Sequence, residues 1–255
     1  MTYFGAALTD IGIKKNTNQD CIAVKIAESD LGQVAFLIIC DGMGGLEQGE
    51  VASATVITRF SSWFEEQFPF ILQSGVELER LKEDWRSIIS RVSAQLDRYG
   101  IEKNIKLGTT LTAMLIYNGK YYIAHVGDSR AYELGDEVKI LTEDQTFVAR
   151  EIKLGRMTPE EAMQDSRRNV LLQCIGASSV VEPVFYEGEV SENSVYMVCS
   201  DGFRHVITAE EINGYIGRDV ITDVESSKRG MSELIRINKE RLEEDNISVA
   251  LVKVI

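Results

Sequence analysis

Four aspartates, each beside a glycine or an asparagine, stand where apolar segments end or begin: Asp41, Asp128, Asp201 and Asp245. Carboxylate oxygens are the ligands that Mg²⁺ and Mn²⁺ prefer in proteins. A single Asp-Gly pair is usually a turn that binds nothing. Carboxylates gathered at strand ends, however, repel one another unless a cation neutralises them. The shared placement therefore predicts a site for divalent cations.

The clearest of these sites is at Asp41. It follows the apolar run 33–40, which has the length and branched content of a buried strand, and it opens the segment Asp41-Gly42-Met43-Gly44-Gly45. Because glycine allows sharp turns and close approach of the backbone, the Gly42 carbonyl can join the Asp41 carboxylate on a metal. The sequence has only two histidines, so oxygen ligation of Mg²⁺ or Mn²⁺ is expected, and an imidazole-rich zinc centre is not.

The hydrophobic pattern alternates between strand and helix periods along the chain. A long helix is predicted over about 49–68 and a second over about 76–99, with others after Thr208 and over about 227–242. An Asn118-Gly119 turn predicts a hairpin, and Thr158-Pro159 predicts a helix start. The predicted strands cover 3–8, 21–26, 34–40, 110–117, 120–126, 131–134, 138–141, 182–189, 194–200 and 247–255. We therefore predict an α+β fold, a four-layer αββα sandwich in which helix pairs flank two central antiparallel β-sheets.

Composition narrows the functional classes. The 255 residues are 44% hydrophobic and contain no Pro-, Gly- or Ser-rich linker, so one domain over 1–255 is expected. No apolar run is long enough to span a bilayer, and a formal charge of −13 argues against nucleic acid as a partner. The four cysteines are widely spaced, as in reduced core thiols. We expect a cytoplasmic monomer with no membrane partner.

Six segments occur in the order and approximate spacing of one known family. They are 9–20 (Thr-Asp-Ile-Gly-Ile-Lys-Lys-Asn-Thr-Asn-Gln-Asp), 41–45, Gly108-Thr109-Thr110, Gly127-Asp128-Ser129-Arg130, Ser200-Asp201-Gly202 and Asp245-Asn246. In these motifs the chain resembles the metal-dependent protein phosphatases, the PPM or protein phosphatase 2C-like family, in its bacterial form. The resemblance extends over nearly the whole chain.

The resemblance implies a fold, a reaction and a ligand set. The implied fold is the αββα sandwich with a flap, here at about 145–168, and the implied substrates are phosphoserine and phosphothreonine proteins made by a Ser/Thr kinase. The implied cofactors are two Mn²⁺ or Mg²⁺ ions, sometimes three, which activate a water without a covalent phosphoenzyme. By motif matching, Asp41 would bridge two ions, Asp201 and Asp245 would complete the first, Asp20 and the Gly42 carbonyl the second, and Asp128 would help hold a third.

Two positions depart from the family pattern in ways that bear on chemistry. Lys15 stands where the family commonly has an arginine that clamps the substrate phosphate, and it offers a point charge instead of a two-pronged fork. Met43 stands where animal members have a histidine that protonates the leaving group. We hypothesise that a metal-coordinated water ordered by Asp128 supplies that proton instead.

Other residues near the motifs are interpreted as structural. His125 is predicted to be a hydrogen-bonded strand histidine and not a catalytic acid. Thr109 and Thr110 are read as strand-start residues, and Arg130 as the residue that fixes the Asp128 turn. Gln145 follows Asp144 where the family usually has histidine, and the sequence assigns it no role.

Two other functions remain open at this stage. Lys15 and the methionine in place of histidine at position 43 also fit a catalytically weak phosphopeptide-binding or regulatory module of the same fold. The five retained aspartates argue against such a loss of enzymatic activity. A metal-dependent nuclease or phosphodiesterase would use similar carboxylates, but the acidic composition disfavours it.

Overall fold

The computed structural model describes residues 1–43 and 48–255, so Gly44 and Gly45 of the predicted glycine-rich turn lie outside the described residues. Within these ranges the chain forms ten strands and eight helices. The strands are β1 (Tyr3–Asp10), β2 (Asp20–Ser29), β3 (Gly32–Asp41), β4 (Leu111–Tyr117), β5 (Lys120–Val126), β6 (Arg130–Leu134), β7 (Val138–Ile140), β8 (Val184–Glu189), β9 (Val195–Cys199) and β10 (Ile247–Val254). The helices are α1 (Gly49–Glu66), α2 (Phe68–Ser74), α3 (Leu78–Lys103), α4 (Phe147–Lys153), α5 (Pro159–Gln164), α6 (Asp201–Arg204), α7 (Ala209–Ile216) and α8 (Val224–Glu240).

The strands form two five-stranded antiparallel sheets. One has the order β1-β10-β9-β6-β7 and the other the order β2-β3-β4-β5-β8. Three hydrophobic cores separate four layers: one between α1–α3 and the β3-containing sheet, one between the two sheets, and one between the β10-containing sheet and α6–α8. The predicted αββα sandwich with antiparallel sheets is confirmed. Among the described helices, none combines the length and hydropathy needed to cross a bilayer.

The sheet registers bring strand ends that are remote in sequence to one edge of the sandwich. Asp20, the first residue of β2, lies directly opposite Asp41, the last residue of β3. In the other sheet, the end of β9 at Cys199 pairs with both Arg130 at the start of β6 and Val249 near the start of β10. The segments before β6, after β9 and before β10 therefore meet at one edge of the sheet. These three segments carry Asp128, Asp201 and Asp245, respectively.

The predicted hairpin is confirmed, and several predicted helix bounds need correction; the helix predicted over 76–99 is α3, which begins at Leu78 and ends at Lys103. Asn118 and Gly119 both have positive φ, 49° and 74°, as the tight turn between β4 and β5 requires. The helix predicted over 49–68 instead ends at Glu66, and α2 begins at Phe68. Pro69 explains the break, because it has no N–H to donate to a continuing helix. The last helix begins at Val224, three residues before the predicted start, because Asp223 forms a capping box with Ser226.

Candidate metal centre

The backbone of Asp41 is fixed by the two threonines that precede β4. The Asp41 N–H donates to the Thr110 hydroxyl oxygen at 2.9 Å, and the Thr109 hydroxyl donates to the Asp41 carbonyl at 2.9 Å. The Thr110 N–H also donates to that carbonyl at 2.9 Å. The structural interpretation of both threonines is confirmed, and their task is to hold Asp41 at the sheet edge.

Gly42 packs where three backbone segments meet. A Cβ added at Gly42 would lie 2.4 Å from the Gly49 carbonyl oxygen and 2.6 Å from that of Gln19. The Gly42 N–H donates to the Gln19 carbonyl at 3.1 Å. The Gln19 N–H in turn donates to the Asn246 side chain at 2.9 Å. The chain therefore needs glycine at position 42 to bring the starts of α1 and β2 against Asp41.

Two aspartates of the cluster have buried oxygens without a hydrogen-bond partner among the described residues, namely Asp20 Oδ2 and Asp201 Oδ1. Burial raises the pKa of Asp20 to about 7; hydrogen bonds from Ser248 and Ser200 oppose the shift, and the charge of Asp201 adds to it. Buried carboxylate oxygens are costly unless something pairs with them. These oxygens fit a hard divalent cation, and the donor set is the one that Mg²⁺ and Mn²⁺ favour.

Asp41 lies at the electrostatic centre of the cluster. Burial raises its pKa well above the ordinary value, and the carboxylates of Asp20, Asp201, Asp128 and Asp245 raise it further. Asp128 is also buried, and burial followed by the charge of Asp201 raises its pKa to about 7. The structure therefore places the other four predicted aspartates close enough to Asp41 for their charges to raise its pKa.

The described side chains of the cluster do not enclose a metal position in this structure. In the part of the chain that the structure describes, no group of three or more His, Cys, Asp or Glu side chains is arranged to hold a metal ion. One predicted ligand already has a cationic partner, because the Lys15 ammonium lies 2.8 Å from Asp245 Oδ1. Burial lowers the pKa of Lys15, but the bond to Asp245 and the charges of Asp41 and Asp201 outweigh burial and raise it. Lys15 thus lies inside the predicted site.

A different arginine from the predicted one fixes the Asp128 turn. Arg130 pairs with Asp144 through two bonds of 2.7 and 2.8 Å, and the described structure shows no bond from it to the turn. Arg204 instead donates to the Asp128 carbonyl at 3.0 Å and to Asp144 at 3.2 Å. The sequence carries no signal for Arg204, because only the pairing of β6 with β9 brings α6 beside the Asp128 turn.

His205 and Glu243 also belong to the site, and the sequence motifs did not identify them. The His205 ring lies between Asp201 Oδ2 and Glu243 Oε2, at 3.4 Å from each. The other Glu243 oxygen accepts the N–H groups of Glu244 and Asp245 at 2.9 and 3.0 Å. These contacts connect the segments that carry two predicted ligands.

Gln145 and Met43 act through packing and hydrogen bonds in this structure. Gln145 Oε1 accepts the Gly127 N–H at 3.0 Å, so this side chain supports the loop that carries Asp128. The Met43 N–H donates to the Gly108 carbonyl at 3.1 Å, and its methyl group would lie 2.7 Å from a Cβ added at Gly108. The Met43 side chain therefore packs against Gly108, and it has no proton to donate.

His125 is a buried strand residue, as predicted. Its Nε2 lies 3.0 Å from the Glu143 carbonyl and its Nδ1 lies 3.0 Å from the Thr112 hydroxyl. Burial lowers its pKa to about 4, and the nearby Asp144 charge offsets only part of that shift. The structural interpretation of this histidine is confirmed.

This shift predicts a pH-dependent stability. Because an unfolded histidine titrates near 6.5, the unfolded chain binds more protons than the folded chain between about pH 6.5 and 4. The His125 contribution is complete above about pH 6.5 and is lost on acidification, by about 2 kcal/mol at about pH 5. The free energy of unfolding in urea should be measured for the wild type and His125→Gln above about pH 6.5 and at about pH 5. Only the wild type should show the extra loss on acidification. Equal losses would contradict the assignment.

An αββα sandwich with a carboxylate cluster at one sheet edge, three of whose aspartates are buried, is the arrangement of the metal-dependent protein phosphatases. The family model described as protein phosphatase 2C matches residues 13–249, and the chain belongs to that family. Its members are metal-dependent hydrolases of phosphoserine and phosphothreonine in proteins. The family and enzyme class predicted from the six motifs are therefore confirmed.

Individual relatives agree with this placement. The chain is 28% identical over 248 residues to protein phosphatase PhpP of Streptococcus pneumoniae, which covers 96% of this chain and 95% of the relative. A structure of the Streptococcus agalactiae serine/threonine phosphatase is 31% identical, with a TM-score of 0.85 and 100% of each chain covered. A structure of the catalytic domain of the phosphatase PstP in complex with two manganese ions is 30% identical. It has a TM-score of 0.77 and covers 99% of this chain and 98% of the other.

Proposed function

We propose that this chain hydrolyses phosphoserine and phosphothreonine in proteins with two bound Mn²⁺ or Mg²⁺ ions and, in some states, a third. One observation carries the proposal: the carboxylates of Asp20, Asp128, Asp201 and Asp245 converge on Asp41, and two of these four have buried oxygens without a hydrogen-bond partner among the described residues. The mutual repulsion of such a cluster costs free energy, and bound cations would remove that cost. The Mn²⁺-bound PstP structure supports the choice of cofactor for this chain.

We assign each ligand a place in this site. Asp41 would contact both principal ions, Asp201 and Asp245 one of them, and Asp20 with the Gly42 carbonyl the other. Asp128 would help hold a third. When bound, divalent cations acidify a water and offset charge on the phosphoryl oxygens. Thr109, Thr110 and Arg204 would keep the backbones of Asp41 and Asp128 in place during this chemistry.

Lys15 would bind an oxygen of the substrate phosphate. Its ammonium lies inside the carboxylate cluster, within 2.8 Å of Asp245, so a phosphate held there would meet both the cations and Lys15. Because Met43 has no proton to give, the leaving oxygen would take its proton from a water held by Asp128. In this assignment Asp128 orients the water that donates the proton, and Asp128 itself does not donate a proton.

The proposed function predicts strict metal dependence. Hydrolysis of p-nitrophenyl phosphate and of a phosphothreonine peptide should require added Mn²⁺ or Mg²⁺, fall to background with excess chelator, and return when the metal is restored. Single-turnover assays with a phosphopeptide would separate the enzyme from a catalytically weak binding module, which would bind the peptide and release no phosphate. Absence of turnover at saturating Mn²⁺ with both substrates would refute the proposal.

The physiological setting is also part of the proposal. We place this phosphatase in the cytoplasm as a single-domain monomer with its flap at 145–168, opposing a Ser/Thr kinase and without nucleic acid or membrane partners. The four cysteines support a reducing compartment, because all are free thiols and Cys40, Cys174 and Cys199 are buried.

A further inference from the structure

A cleft on the outer side of the sandwich is lined by arginines. It lies between α1 and α3, has a volume of about 470 Å³, and contains Arg59, Arg91 and Arg98 in its lining. All three side chains are exposed, whereas Trp63 and Val92 at the cleft are buried. The cleft thus has an apolar floor with guanidinium groups along its rim.

These arginines have donors left for a ligand. Arg91 and Arg98 each use Nε to donate to a carbonyl one turn earlier on α3, at 3.2 Å. Arg59 donates one Nη2 bond to Gln95 across the cleft at 3.3 Å. Within residues 1–43 and 48–255, none of the three has a carboxylate within ion-pair distance. The Nη1 and Nη2 atoms of Arg91 and Arg98 are therefore available to bind carboxylates bidentately.

The charge of this cleft is opposite to that of the protein. The whole chain carries −13, yet the described lining of the cleft includes three arginines and one acidic residue, Glu66. Several arginines elsewhere on the surface are paired with carboxylates, such as Arg236 with Glu233 and Arg241 with Glu211. A local cationic cleft on an acidic protein selects an acidic ligand.

The cleft continues toward the metal centre. A neighbouring cleft of about 400 Å³ shares Arg98 and Gln95, adds one acidic residue, Glu102, and extends to Val51 in the first turn of α1. Gly49, which begins α1, packs against Gly42, so the continuous groove ends beside the predicted metal ligands. With 18 residues, α1 is about 27 Å long, a distance that about eight extended residues span.

We infer that this arginine groove binds a carboxylate-rich segment of the phosphoprotein substrate while the phosphorylated residue occupies the metal centre. The inference rests on the proposed function, and it adds a substrate class, phosphoproteins with an acidic stretch near the phosphosite. The apolar floor leaves room for the stems of the acidic side chains, and the guanidinium rim pairs with their carboxylates.

The test uses two phosphothreonine peptides that differ only in a tail of about eight residues, glutamates in one and glutamines in the other, joined by a flexible Gly-Ser spacer. The wild type should show a KM about five- to tenfold lower for the glutamate-tailed peptide. Arg59→Gln/Arg91→Gln/Arg98→Gln should lose that preference and leave p-nitrophenyl phosphate hydrolysis unchanged. Raising the ionic strength from about 0.05 to about 0.5 M should also remove it.

A matched control removes the same charge from the opposite helical layer. Lys228→Gln/Arg229→Gln/Arg236→Gln on α8 also takes the net charge from −13 to −16, and it should keep the tail preference. Equal KM values for both tails in the wild type, or equal loss in both triple variants, would overturn the inference. Fluorescence anisotropy with an unphosphorylated glutamate-tailed peptide measures groove binding directly. It therefore tests the groove even if no substrate is hydrolysed, an outcome that would refute the proposed function alone.

Discussion

Replacing Asp41 with asparagine should lower kcat by about a thousandfold or more with both p-nitrophenyl phosphate and a phosphothreonine peptide. The amide keeps the size of the side chain but removes the negative charge that four other carboxylates surround. Calorimetric titration with Mn²⁺ should show at least one binding event lost or strongly weakened. Because the substitution also removes repulsion from a buried cluster, metal-free Asp41→Asn should melt at the same temperature as the wild type or higher.

The combination of lost activity and retained stability separates a ligand from a structural residue. If Asp41→Asn hydrolysed both substrates at the wild-type rate, the assignment of this carboxylate to the metals would be wrong. Lys15→Gln is the informative comparison within the same pocket. It should raise KM for the phosphopeptide more than it lowers kcat, because its proposed contact is with the substrate phosphate in both the ground state and the transition state.

Much of the fold could be predicted because its local chemistry agrees with its tertiary packing. Asn118-Gly119 can adopt the two positive φ angles of the hairpin turn, and Thr158 and Thr208 form capping boxes at their helix starts. The buried run that forms β3 has the same apolar character on both faces because it is covered by helices on one side and by the second sheet on the other. Each of these patterns involves only residues that are close together in the sequence, so the sequence alone predicts it.

The residues that sequence reasoning missed depend on contacts between remote segments. Arg204 supports Asp128 from 76 residues away, and Asn246, which the motifs contain without a role, holds the Gln19 backbone from 227 residues away. His205 and Glu243 meet only because β9 and β10 are neighbours. No spacing rule relates such pairs, since they follow from strand order. The arginines of the α1–α3 groove are also spread over both helices, where each one alone has the pattern of an ordinary solvated residue.

The close packing at Gly202 predicts that this glycine sets the spacing between Asp201 and Asp245 in the proposed metal centre. A Cβ added there would lie 2.2 Å from the Asn246 carbonyl oxygen and 3.1 Å from the Asp245 Cβ. Gly202→Ala must therefore push the segment carrying Asp245 away from the one carrying Asp201. We expect a loss of about 1–3 kcal/mol in unfolding free energy. We also expect Mn²⁺ affinity to fall by about tenfold or more, because both ligands would be displaced.

Gly214→Ala provides the matched control, since it is the same substitution within α7, where an added Cβ meets no atom within 4 Å. It should leave Mn²⁺ binding unchanged and stabilise the protein by up to about 1 kcal/mol, because alanine favours the helix. Denaturant unfolding and Mn²⁺ calorimetry on the two variants measure both effects. Should Gly202→Ala bind Mn²⁺ as tightly as Gly214→Ala, then Asp201 and Asp245 do not share an ion, and the ligand set assigned to the first metal is wrong.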